Sequence, residues 1–196
     1  MKLPPLIVLL AGLAADFALS AADLAVPDNV QFERGLEYSN PDQQHLQLNL
    51  ARPKTGHGPF PAVVCIHGGG FRAGTREGYD QLCVTLAQNG YVAATITYRL
   101  SPAYRFPAAV HDSKAAVRWL RANAAKYQID PKRIGATGGS AGGHLALFLG
   151  VTEGVKAFEG EGNLDYPSGV SCVVSFSGPS DFTQSYGKSV DAHEVL

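Results

Sequence analysis

The period of the hydrophobic positions changes along the chain. Val30 to Tyr38 and His45 to Ala51 read as two short strands, and in the second Leu46, Leu48 and Leu50 alternate with polar or small partners. A period of two is the signature of a half-buried strand. Arg52 to Pro61 is rich in proline and glycine and reads as a loop. Ala62-Val63-Val64-Cys65-Ile66 is then apolar without a break. Such a run predicts a parallel strand covered on both faces.

Beyond Ile66, helical and strand patterns take turns. Gly78 to Asn89 carries Leu82, Val84 and Leu86 and stops before Gly90, a residue suited to a helix C-terminus. Val92 to Tyr98 is a strand. Ala108 to Lys126 is a helix whose apolar side holds Ala109, Ala116, Trp119, Leu120 and Ala124. Phe106-Pro107-Ala108 sets its start, because proline suits the first turn. Asp130-Pro131 marks a turn, Ile134 to Thr137 a short strand, Ala141 to Val151 an apolar helix, and Cys172 to Phe176 a buried strand. Three successive strand–helix–strand units predict parallel pairing. The strands holding Val63, Thr95, Ala136 and Val174 are therefore expected side by side in one sheet. The expected fold class is α/β, a mostly parallel sheet with helices on both faces.

Composition narrows the function. Hydrophobic residues make up 45% of the 196 and charged residues 17%, so a single domain has ample material for a core. Lys+Arg 16 against Asp+Glu 17 leaves a net charge of -1, which excludes nucleic-acid binding driven by bulk electrostatics. Three cysteines make no disulfide framework. Cys65, Cys83 and Cys172 are each expected as small buried apolar residues. At the N-terminus, Lys2 precedes an apolar run from Leu3 to Ala15, followed by Ala18-Leu19-Ser20-Ala21-Ala22. These are the parts of a secretory signal, cut after Ser20 or Ala22. The run is shorter than the about 20 residues a membrane span needs. Residues 1–22 are thus expected to be a signal peptide, 23–196 the domain, and the product secreted or periplasmic.

Two runs carry chemistry. Gly138-Gly139-Ser140-Ala141-Gly142 fits G-x-S-x-G between a short apolar strand and an apolar helix, the context a nucleophile elbow requires. A serine on that sharp turn is pushed into an unfavourable backbone conformation and needs tiny neighbours. It also sits at a helix N-terminus, which favours developing negative charge. The bland reading is a glycine-rich turn without chemistry. The second run, His67-Gly68-Gly69-Gly70-Phe71, follows the strand ending at Ile66. Acyl transfer needs N–H donors aimed at an oxyanion. Gly69, Gly70 and Ala141 would supply them. A phosphate loop would want Gly-Lys-Ser/Thr, which is absent. His67 precedes the donors on the far side of the cleft and is expected to anchor the loop. His144, one turn past Ser140, is expected to be packed and hydrogen-bonded.

With both motifs in place, the chain resembles the α/β-hydrolase esterases. The resemblance is to their hormone-sensitive-lipase-like and acetylxylan/feruloyl-esterase-like branches. It is carried by His67-Gly68-Gly69-Gly70, Tyr98-Arg99-Leu100-Ser101-Pro102, Phe106-Pro107-Ala108-Ala109 and His111-Asp112 with the helix Lys114 to Arg121. Asp130-Pro131-Lys132-Arg133-Ile134 and Gly138 to Gly143 complete it, over about residues 45 to 182. It implies Ser140 as nucleophile, Gly69, Gly70 and Ala141 as oxyanion donors, and an α/β-hydrolase fold. It also implies hydrolysis of small-molecule or polysaccharide-linked carboxylic esters, with no cofactor and no metal. An Arg99–Asp112 pair is expected to brace the loop between them.

The same family order places the triad acid and then the histidine after the nucleophile. Here Asp181 is the one candidate for a variant acid, and His193 lies three residues from Leu196. At about 30 residues per strand–helix unit, the sheet is expected to lack its last strands, and the acid and base to lie beyond Leu196. Two rival functions stay open: a serine peptidase of the same fold, and a non-catalytic binding domain.

Overall fold

Among the described residues six strands form one sheet, in spatial order β1 (Val30–Ser39), β2 (Leu46–Pro53), β4 (Val92–Ile96), β3 (Phe60–Ile66), β5 (Ile129–Gly139) and β6 (Val173–Phe176). The computed structural model describes residues 24–182, so the expected signal segment and His193 lie outside the described residues. β1 (Val30–Ser39) and β2 (Leu46–Pro53) form an antiparallel pair, and β2 pairs antiparallel with β4 (Val92–Ile96). β3 (Phe60–Ile66) then runs parallel to β4 and to β5 (Ile129–Gly139), and β5 runs parallel to β6 (Val173–Phe176). Val63, Thr95, Ala136 and Val174 do lie on four parallel strands. The mostly parallel sheet carries helices on both faces, as expected.

The strand pleat divides the core. Leu46, Leu48, Leu50, Val64, Ile66, Ala94 and Ile96 face one side, where α2 (Ala108–Ala122) and α4 (Ala141–Val151) cover them. Ala51, Cys65 and Ala93 face the other side and meet Cys83, Val84 and Ala87 of α1 (Asp80–Gln88). Small strand residues there let α1 come close. Burying a side chain such as Leu48 or Leu50 completely contributes about 1.5–3 kcal/mol.

Several expectations need correction. The buried stripe of α1 is Asp80, Cys83, Val84 and Ala87, with Leu82 and Leu86 only flanking it. The helix from Ala108 breaks at Asn123, and α3 (Ala124–Tyr127) is a separate turn. Pro107 stands at the N-cap rather than inside the first turn. The Asp130-Pro131 turn lies within β5: Phe60 pairs with Ile129 and Ala62 with Ile134, so residues 130–133 bulge out. The Asp130 carboxylate accepts from the Lys132 N–H and the Arg133 side chain across that bulge. Trp119 is only partly buried, beside Tyr127.

The last strand also differs. Among the described residues β6 is the outermost strand, beside β5 alone, and it is not buried on both faces as expected. Val174 is 52% exposed and Phe176 60%. Cys172 precedes β6 and is exposed, whereas Cys65 and Cys83 are buried as expected. An apolar run encodes strand pairing, but what covers each face is decided by the neighbours it meets.

Charged residues on α2 face inward, which an apolar-side reading could not find. Lys114 Nζ donates to Thr152 O (2.6 Å), Glu159 Oε1 (2.8 Å) and Ser168 Oγ (3.2 Å). Arg118 donates to Glu159 Oε2 (3.0 Å), Gly162 O and Glu161 O. Arg121 reaches Pro167 O and Gly169 O. These side chains sit at i, i+4 and i+7, one stripe of the helix. They hold the irregular segment between α4 and β6, including the short helix α5 (Lys156–Glu159).

Candidate active site

Parallel pairing brings both motifs to one end of the sheet. Cys65 pairs with Thr137 and Ile66 with Gly138. The glycine loop leaving β3 and the turn leaving β5 therefore emerge side by side. Ligands of open α/β sheets bind at such carboxyl ends.

Ser140 caps α4 with φ 54° and ψ -120°, a conformation that strains any residue with a side chain. It is exposed. Its N–H donates to Phe176 O (2.8 Å), and its carbonyl accepts the His144 N–H (3.0 Å). The turn is tight because α4 starts directly against β3. A Cβ on Gly142 would run into Ile66 O, and one on Gly138 would stand 2.6 Å from the same oxygen. Glycine is needed at both positions because backbone fills the space. Ala141 is the first helical residue, so its N–H lies among the four with no partner inside the helix.

The glycine loop closes over this turn. A Cβ on Gly68 would stand 2.7 Å from Gly139 O and 3.3 Å from Ser140 Cβ, so the loop lies in contact with the elbow. Gly69 O accepts from the N–H groups of Arg72 and Ala73, both at 3.0 Å. In a trans peptide the N–H points opposite to the C=O. The Gly70 N–H is therefore turned away from that hydrogen-bonded turn, and a Cβ on Gly70 would meet only open space. Gly69 and Gly70 have φ of 117° and 59°.

His67 anchors the loop. Its Nδ1 donates to Gly68 O at 2.8 Å, and its ring stacks on Tyr98 with centroids 4.3 Å apart. The Tyr98 hydroxyl donates to His67 O at 3.0 Å. Burial lowers the His67 pKa and favours the neutral ring, whose proton the Gly68 carbonyl holds on Nδ1. Arg99 and Asp112 pair as expected, with Nη2 to Oδ1 at 2.8 Å and the Arg99 N–H to Oδ2 at 2.8 Å. One carboxylate thus ties both the backbone and the side chain of the loop to α2.

His144 is half-buried. Its Nδ1 lies 2.6 Å from Pro179 O, and its ring packs among Phe71, Phe148 and Phe182. A general base must come within about 3 Å of the proton it takes. Among the described residues no histidine is hydrogen-bonded to Ser140 Oγ. Asp181 is half-buried, five residues past β6. Two neighbours of the site were given no role from sequence. Phe71 is buried with φ 63°, and the Tyr79 hydroxyl lies against Gly139. Neither has a sequence signal: both are placed by how the loop after β3 folds back.

A mostly parallel sheet with helices on both faces and a strand–serine–helix elbow defines an α/β-hydrolase fold. Solved esterases share it. The chain superimposes on a truncated carbohydrate esterase from gut microbiota with TM-score 0.70 and 36% identity, over 76% of this chain and 57% of that one. It also superimposes on the propionate-bound esterase Est2 of Thermogutta terrifontis with TM-score 0.66 and 28% identity, over 77% and 55%. More particularly, the chain belongs to the BD-FAE family, whose model matches residues 48–195. Among curated proteins it is 36% identical over 135 residues to the ethyl acetate hydrolase of Pseudomonas putida, covering 67% of this chain and 42% of that protein. It is 42% identical over 94 residues to mouse neutral cholesterol ester hydrolase 1, covering 45% and 23%. The chain spans less than half the length of the curated relatives it matches.

Proposed function

We propose that the protein hydrolyses carboxylic esters through an acyl-serine intermediate, with Ser140 as nucleophile. The observation that carries this reading is Ser140 itself: exposed, held at φ 54° and ψ -120°, and in contact with a glycine loop. Strain of this kind is kept where it serves a mechanism. Ser140 Oγ attacks the ester carbonyl carbon and gives up its proton to a base. The carbonyl oxygen takes the negative charge and is held by N–H groups of Gly69, Gly70 and Ala141. The tetrahedral intermediate collapses, the alcohol leaves with a proton, and the acyl group stays on Oγ. Water then adds to the acyl carbon and releases the acid, returning the proton to Ser140.

Small and polysaccharide-linked esters are the proposed substrates. The names of the relatives support this range, from ethyl acetate hydrolase to carbohydrate esterase. We also propose export through the segment 1–22. No helix among the described residues is long and apolar enough to cross a membrane.

A fluorophosphonate probe tests the nucleophile. In the protein as it occurs in its source, the adduct should map to Ser140 and vanish in Ser140→Ala, together with turnover of an aryl acetate. An unlabelled Ser140 in folded protein would favour the rival reading, a binding domain that kept the fold.

A further inference from the structure

A small cavity lies between α2 and α4, next to the glycine loop. Phe71, Val110, Leu145 and Phe182 line it with His144, and Arg99, Ser101 and Arg105 also reach it; the Arg99 guanidinium is already paired with Asp112. Phe71 is the first residue after the glycines, and His144 and Leu145 are one turn along α4 from Ser140. The cavity thus adjoins the candidate site. Its volume is about 30 Å³. That is room for about two or three heavy atoms, the tip of a chain rather than a whole substrate.

His144 gives this tip a chemistry. Pro179 O is an acceptor, so the Nδ1 that faces it at 2.6 Å must carry the proton. In the neutral ring Nε2 is then an acceptor with a free lone pair, and among the described residues no partner for it is found. Phe71 and Phe182 meet the ring edge-on, at 87° and 80°, and Phe148 packs at 4.8 Å, so its orientation is held. Burial lowers the His144 pKa, and the ring is neutral near pH 7.

We propose that His144 is a specificity-determining residue. Its Nε2 accepts a hydrogen bond from a hydroxyl on a short, uncharged chain whose apolar tip fills the cavity beside Phe71, Val110 and Leu145. A carbon bearing one methyl and one hydroxyl has the right size: three heavy atoms, one donor and otherwise apolar surface. This deepens the reading of Ser140 as nucleophile by naming what the ester carries, but binding in the cavity needs no reaction at Ser140. A hydroxyl delivered to a neutral acceptor in a mostly apolar site gains about three- to tenfold in affinity over the analogue without it.

The probes are ethyl 3-hydroxybutyrate and ethyl butyrate, titrated into the chain with the His144 ring ¹⁵N-labelled. Both should move the Phe71 and Leu145 signals. Only the hydroxy ester should move the Nε2 resonance, and it should bind about three- to tenfold more tightly. Ser140→Ala should keep the whole pattern, so a failure of the nucleophile reading leaves this result standing. His144→Phe should abolish the difference between the two esters. If that variant does not fold, the ¹⁵N comparison in the unaltered chain decides alone. Equal affinity for both esters with Nε2 unmoved would overturn the proposal. So would an Nε2 that holds an ordered water through both titrations, or no shift at Phe71 and Leu145 with either ester.

Discussion

Gly142 lies so close to Ile66 that a Cβ on the glycine would overlap the Ile66 carbonyl oxygen. The end of β3 and the first turn of α4 are thereby in backbone contact, and the elbow and the glycine loop are built as one unit. Overpacking against a rigid backbone costs more than against a side chain. Gly142→Ala is expected to lose at least about 3 kcal/mol. Gly70→Ala should lose only about 1 kcal/mol, because its neighbourhood is open and only φ 59° opposes it. Urea unfolding of the two variants checks the order.

The strain at Ser140 gives a second expectation. At φ 54° and ψ -120° glycine is comfortable and alanine is not. Ser140→Gly should be more stable than Ser140→Ala by about 1 kcal/mol, after allowing for the extra chain entropy of glycine. Paired thermal melts measure it. Equal melting temperatures would mean that the turn is not under strain.

Glu159 joins Lys114 and Arg118, whose side chains are 0% and 1% exposed. Burial alone would raise its pKa, but hydrogen bonds from Lys114 and Ser168 and the Lys114 charge outweigh burial and hold it below the ordinary value of 4.5. Glu159→Ala leaves two buried cations facing only neutral oxygens, at an expected cost of about 3 kcal/mol. The double variant Lys114→Met with Glu159→Leu should recover part of that loss. Denaturant midpoints of the single and double variants test it.

Burial lowers both His67 and His144 from 6.5. Between the folded and unfolded pKa values the unfolded chain binds more protons, so stability rises with pH in that window. It is complete above about 6.5 and is lost as pH falls toward the folded values. The urea midpoint should therefore drop from pH 7.5 to pH 5.5. His144→Phe should shrink that drop, and a pH-independent midpoint in this window would contradict the buried neutral rings.

Export is tested by mass. When residues 1–196 are produced in a secreting bacterium, exported protein should begin at Ala21 or Asp23. Exported protein that keeps Met1 would rule out cleavage of the leading segment.

Local pattern determined much of this molecule. The apolar runs at Val63 and Ala136, the alternation at Leu46–Leu50 and the cap at Gly90 each depend on a few adjacent residues, and strands and a helix end formed there, although Asn49 and Ala51 are buried too, so β2 is covered on both faces rather than half-buried. Gly138–Gly142 and His67–Gly70 were legible for the same reason: each needs a particular short run of tiny residues at a strand end. Tertiary structure decided what depends on distant partners. Lys114 and Arg118 are buried only because the segment after α4 folds back with Glu159 and free carbonyls. Which nitrogen of His144 carries the proton was decided by Pro179 O, a residue far along the chain. Sequence pattern reports how a segment divides itself between apolar and polar surroundings; the identity of those surroundings is a property of the packed chain.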